Sequence, residues 1–197
     1  MTGSPHQPRE DGTVSIVRLT LRSSSLADTH AFASRLAVFL EPGDVVLLIG
    51  DLGAGKTAFS KGLGRALGVS DEITSPTFTI MRDYPVVLAS GIAAAFLHLD
   101  AYRLDGADAV EDIGLFELLD AGGFAVIEWG DVVSAAFGKD PLVLEFFWES
   151  DDAREIVVSA DTDGRWTDRI AKCFSELQAP TVLQTRTGPQ VPTDVVA

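Results

Sequence analysis

Eight residues, Gly50-Asp51-Leu52-Gly53-Ala54-Gly55-Lys56-Thr57, carry the spacing G-x-x-x-x-G-K-[ST] of a phosphate-binding loop, between an apolar run (residues 45–49) and a helix-like segment. The glycines let the backbone turn through positive φ, so the amides of Asp51, Leu52, Gly53, Ala54, Gly55, Lys56 and Thr57 can face phosphate oxygens without a Cβ in the way. Lys56 then supplies a point charge to the β- and γ-phosphates, and the Thr57 hydroxyl is one oxygen ligand for Mg²⁺. By average residue frequencies the four fixed positions recur by chance in roughly 1% of chains of this length, and the strand-loop-helix context narrows that further. The chemistry expected is binding of a nucleoside triphosphate with magnesium.

Three later segments can complete such a site. Thr74-Ser75-Pro76-Thr77-Phe78-Thr79 sets hydroxyls around a rigid proline just after the loop's helix, where switch segments sit in nucleotide hydrolases. Ser75 or Thr77 would sense the γ-phosphate there, complete the metal shell through water, or simply cap a helix-to-strand turn. Asp100 follows a strand-like apolar run as a Walker B acid does, and would hold Mg²⁺ directly or through water; the alternative is a surface Asp capping the next turn, with His98 as its structural partner. Glu128 ends the buried run Ala125-Val126-Ile127 and is either a metal ligand, the group that orients an attacking water, or a side chain reaching solvent. Trp129 beside it would shield the site or face a partner. Glu111 and Asp112 read as a solvated face.

The elements around these residues alternate. Strands are expected at 14–21, 77–84, 93–99, 124–129, 142–147 and 154–160, besides the run before the loop. Helices are expected at 26–40, 58–67 (with Gly68 as C-cap), 107–119, 131–137 and 166–177. Residues 84–90 read as a hairpin connection, although Val86-Val87-Leu88 could extend either strand. Apolar strands alternating with helices predict a three-layer α/β P-loop NTPase fold. Its central sheet would be mostly parallel with some antiparallel strands, and the ligand would lie at the carboxyl ends of the strands. Polar stretches without a periodic apolar face at 1–13 and 178–197 read as disordered tails around one domain, 14–177.

Composition bounds the rest. A chain of 197 residues with 46% hydrophobic content can bury one substantial core. One cysteine, Cys173, excludes an internal disulfide, and the chain has neither a membrane-spanning apolar stretch nor an N-terminal signal-like core, so a cytoplasmic location is expected. Fifteen basic against 29 acidic residues give a net charge of −14, and the basic residues of the first half are scattered singly. Such a surface repels nucleic acid, so any RNA is expected to be held by a partner.

Five blocks in order resemble the TsaE family, small bacterial ATPases of tRNA threonylcarbamoyladenosine synthesis. They are G-D-L-G-A-G-K-T at 50–57, S-P-T-F at 75–78, H-x-D-x-Y-R at 98–103, E-D-I-G at 111–114 and I-E-W at 127–129. The resemblance spans about residues 14–177. It implies Thr57 and Glu128 as Mg²⁺ ligands, Asp100 as a catalytic or metal-linked acid, Thr77 in a switch-like loop, and Lys56 on the phosphates. Arg154 resembles the arginine of a G-R-E motif that lines the nucleotide site, although Ala153 stands here in place of the glycine. Residues 24–29 match the region that approaches the base. The resemblance further implies ATP and Mg²⁺ as cofactors, TsaD-like and TsaB-like partners, tRNA contacted only through that complex, and hydrolysis that is slow alone. The activated threonylcarbamoyl donor would come from a separate enzyme. The stretch 86–95 is longer and more apolar than this pattern has.

Rival readings are limited by what is missing. Guanine-specific GTPases read the base with N-K-x-D, and this chain contains no asparagine. Small-molecule kinases bring lid arginines to the transferred phosphoryl group, and Lys139 is the one basic residue between Arg103 and Arg154. A third reading is an assembly latch that holds ATP with little turnover.

Overall fold

The computed structural model describes residues 14–71, 73, 80–138, 140–175 and 184–188. The whole expected switch segment, 74–79, with its Ser75 and Thr77, lies outside the described residues, as do Lys139 and the expected N-terminal tail.

An eight-stranded sheet in the order β3-β4-β5-β2-β6-β7-β1-β8 runs through the molecule. Its strands are β1 (Val14–Ser23), β2 (Val45–Ile49), β3 (Met81–Val87), β4 (Ala93–Asp100), β5 (Gly123–Glu128), β6 (Leu142–Trp148), β7 (Arg154–Asp161) and β8 (Gln184–Gly188). The four central strands β4, β5, β2 and β6 are parallel, and every other pairing is antiparallel. The parallel part is thus the middle of the sheet, where β2 and β5 are continuous apolar runs because both faces are covered. From β2 the chain builds first toward β5 and then returns to β6 on the other side. The carboxyl end of β2 is therefore the switch point at which open α/β sheets bind ligands.

Alternation along the strands sends side chains to two cores. Val46, Leu48, Phe124 and Val126 pack under helices α1 (Leu26–Ala37), α2 (Lys56–Ala66) and α5 (Thr167–Ser175), where Phe32 meets Phe59 at 5.6 Å and Phe174 at 5.8 Å. Val45, Leu47, Ala125 and Ile127 face α3 (Ala109–Asp112), α4 (Leu115–Asp120) and the 3-10 helix Gly130–Phe137. These are the three layers that the alternation of elements predicts. Helix α1 starts at Ser25, whose hydroxyl accepts from the Asp28 amide at 3.1 Å while the Asp28 carboxylate accepts from the Ser24 amide at 2.9 Å.

Three local expectations change. The helix expected over 107–119 is broken into α3 and α4 because Gly114 takes φ +70 between them. The first arm of the hairpin runs on to Val87, so the connection is 88–92 rather than 84–90, and Pro85 is tolerated because β3 is an edge strand. Five residues of the expected C-terminal tail, β8, pair with β1. No helix among the described residues is long and apolar enough to cross a membrane.

At the end of the sheet away from the loop, Asp44 is 0% exposed. It accepts from Arg169 at 2.8 and 2.9 Å, from Arg165 at 3.1 Å and from the Glu41 amide at 2.8 Å. Removing one partner of a buried ion pair strands the other charges, so Asp44→Ala is expected to cost about 3 kcal/mol of unfolding free energy. Urea denaturation checks this, and ligand binding by the folded fraction is expected to be unchanged.

Candidate functional site

The loop begins where β2 ends. Gly50, Gly53 and Gly55 take φ of +142, +81 and +113, conformations that side chains rarely adopt. A Cβ on Gly50 would stand 2.5 Å from the Phe146 carbonyl oxygen, and one on Gly55 would stand 3.4 Å from Arg154 Nε. The backbone is therefore tightly packed where the loop enters α2; the Ala54 amide donates within the loop to the Asp51 carbonyl at 3.1 Å, and the first amides of α2, which lack intrahelical partners, can cradle an anion. Ala54 is buried beneath the loop, whereas Asp51 and Leu52 are exposed at its tip.

Lys56 opens α2 and folds back over the loop. Its ammonium donates to the carbonyl of Gly50 and, at 2.9 Å, to that of Asp51, and it lies 3.9 Å from the centre of the Trp129 ring. Burial pushes its pKa below the usual lysine value, while the carboxylates of Glu128, Asp131, Asp100 and Asp51 oppose that shift. A cation held dry against backbone oxygens is ready to exchange them for an anion. Trp129 covers it, at φ +59, and packs against Tyr102 with ring centres 5.1 Å apart and planes tilted by 52°.

Opposite Lys56, the strand register β4 to β5 sets Asp100 beside Glu128. Glu128 is 3% exposed, so it does not reach solvent as a strand-end glutamate would. The Thr57 hydroxyl donates to its Oε2 at 2.7 Å, the Ser60 hydroxyl lies 3.4 Å from its Oε1, and His98 Nε2 lies 2.8 Å from the same oxygen. His98 thus pairs with Glu128 and not with Asp100. Asp100 accepts instead from the Tyr102 amide at 3.1 Å, and its own amide donates to the Ile80 carbonyl at 3.0 Å. Ile80 and Trp129 are the two non-glycine residues at positive φ among those described, and each flanks this pair of acids.

The structure brings together Lys56, Thr57, Glu128, Asp100 and the loop, and sets Arg154 against Gly55. The Arg154 guanidinium is turned to the Ser150 and Asp151 carbonyls at 3.2 and 2.9 Å. Thr77 falls outside the described residues. Sequence reasoning missed Ser60 and Asp131. Ser60 lies three residues beyond Thr57, on the same face of a helix, and that spacing could have found it.

The donor set fits the group it was read for. The amide cradle and Lys56 suit a chain of phosphates, and the Thr57 hydroxyl with the Glu128 carboxylate supplies hard oxygens suited to Mg²⁺, which keeps several waters and needs few protein ligands.

A sequence model described as "Threonylcarbamoyl adenosine biosynthesis protein TsaE" matches residues 23–156. This chain belongs to the TsaE family. The TsaE protein of Bacillus subtilis is 37% identical over 143 residues, covering 73% of this chain and 86% of that one. That of Treponema pallidum is 39% identical over 137 residues, covering 70% and 97%. Among solved structures, the crystal structure of Bacillus subtilis YdiB superposes with a TM-score of 0.63 at 31% identity, covering 82% of this chain and 95% of the other. The matched span holds the loop, Asp100, Glu128 and Arg154.

Gly50→Ala would drive a methyl group into the Phe146 carbonyl, while the same change at Gly53 meets open space and only backbone strain. Gly50→Ala is expected to weaken triphosphate binding about tenfold or more, and Gly53→Ala distinctly less. Equilibrium titration with a fluorescent nucleotide checks the order.

Proposed function

We propose that this chain is a magnesium-dependent ATPase that supports threonylcarbamoyladenosine modification of tRNA in the cytoplasm, in a complex with TsaD-like and TsaB-like proteins. The observation that carries this reading is the 2.7 Å contact between Thr57 and Glu128 beside the Lys56 loop, which joins a phosphate cradle to an oxygen donor set in one site. Membership of the TsaE family supports the pathway, since the relatives carry that pathway in their names.

In this mechanism the loop amides and Lys56 bind the β- and γ-phosphates, and Lys56 offsets charge that spreads onto the departing phosphoryl oxygens. Thr57 and Glu128 would hold Mg²⁺, with Asp100 as the further acid of the metal site. The metal, when bound, neutralises the phosphate oxygens that carry the developing charge. Asp100 or Glu128 would orient the attacking water and accept its proton. The water oxygen forms the new P–O bond as the bond to the β-phosphate oxygen breaks, giving ADP and inorganic phosphate. Trp129, packed against Tyr102, shields the Lys56 ammonium from bulk water. Arg154 lies close enough to Gly55 to turn toward phosphate.

Adenine is favoured over guanine by the absence of an N-K-x-D motif in a chain without asparagine. Transfer to a small acceptor is disfavoured by the scarcity of basic residues between Arg103 and Arg154. With a net charge of −14, binding of tRNA falls to the partner proteins.

Two variants separate an enzyme from an ATP-holding latch. Glu128→Ala is expected to lower phosphate release at least about a hundredfold and to stop tRNA modification with it. Modification that survives while turnover is lost would favour the latch. Lys56→Ala is expected to harm both through weaker nucleotide binding.

A further inference from the structure

We propose that His98 is a positioning residue for Glu128, holding one carboxylate oxygen so that the other stays turned to Thr57 and the metal; this role rests on the magnesium-nucleotide reading above. Glu128 has three side-chain torsions, and its rotamer decides whether Oε2 reaches the Thr57 hydroxyl. His98 Nε2 fixes it from the far side, 2.8 Å from Oε1, while Thr57 donates to Oε2 at 2.7 Å. The two oxygens are therefore distinguished by their partners.

The histidine is built for that one contact. It is 0% exposed, and its Nδ1 has no hydrogen-bond partner among the described residues. A carboxylate oxygen can only accept, so the 2.8 Å contact calls for a proton on Nε2, and the one polar contact of the ring among the described residues is made to Glu128. The ring plane is set by stacking: His98 lies on Phe96 at 6.1 Å and 25°, and Phe96 lies on Phe124 at 5.4 Å and 5°. Register supplies the alignment, since Phe96 pairs with Phe124 and Asp100 with Glu128 along the same two parallel strands. A group that orients a metal-binding side chain from behind tunes affinity for the metal without touching it.

The test uses the whole chain, ADP, and Mn²⁺ as the metal probe read by electron paramagnetic resonance. His98→Leu is expected to weaken Mn²⁺ binding to the ADP complex about tenfold, with ADP affinity in the absence of metal within about twofold of the unsubstituted protein. His98→Gln, whose amide can donate from nearly the same place, is expected to stay within about threefold for the metal. Unchanged metal affinity in His98→Leu, or a loss in His98→Gln as large as in His98→Leu, overturns the proposal.

A ¹⁵N spectrum of the histidine rings in the ligand-free, unsubstituted protein gives a second readout that stands even where a variant fails to fold. The expected result is a protonated Nε2 whose signal shifts in Glu128→Gln. An Nε2 without a proton, which cannot donate to Glu128, overturns the proposal. Failure of the unsubstituted protein to bind metal with nucleotide would instead defeat the ATPase reading, and the spectrum would still decide the His98–Glu128 contact.

Discussion

A carboxylate buried at the end of the central strand β5 is the constraint around which the site is organised. Taking Glu128 out of water costs several kcal/mol unless its oxygens are bonded and an opposite charge stands near. The fold meets that cost from three directions: Thr57 and Ser60 from α2, His98 from β4, and the Lys56 ammonium across the cleft. Each donor is itself fixed by an element whose place is set by the sheet. The loop, the first turn of α2 and the ends of two strands thereby become one unit.

The sheet acts as the ruler. Leu48 pairs with Glu128 and Asp100 pairs with Glu128, so β2, β4 and β5 end at a common level and deliver the loop and both acids to the same edge. The strained positions fall at that edge as well: Ile80 and Trp129 adopt positive φ beside the acids, where the packed strands around them hold the conformation. The opposite end of the sheet is closed by Asp44 and its two arginines, which bind α5 to the turn before β2. Stability and chemistry are thus concentrated at opposite ends of β2.

Much of this was legible in the sequence because it is local. The loop's glycines, lysine and threonine lie within eight residues, and the apolar runs before Asp100 and Glu128 announce strands whose ends must carry them. The three layers follow from alternating apolar runs and helical periods. What was not legible depends on partners far apart in the chain. His98 and Asp100 share a face of β4, and spacing alone made them natural partners; the register sets His98 opposite Val126, one diagonal step from Glu128, and the contact goes there, 30 residues on. The break at Gly114 was hidden by an apolar period that runs through it. The Asp44 cluster joins residues more than a hundred positions apart, so no window of sequence contains it.

The central claim is that Lys56, Thr57 and Glu128 form one magnesium-triphosphate site. It is tested most directly by a crystal structure of this chain with Mg²⁺ and a non-hydrolysable ATP analogue. The account predicts the β- and γ-phosphates within the Gly50–Thr57 cradle, in contact with the Lys56 ammonium, and the metal held by the Thr57 hydroxyl with Glu128 as its nearest carboxylate. A metal bound away from Glu128, or a nucleotide whose phosphates lie outside the loop, would contradict it.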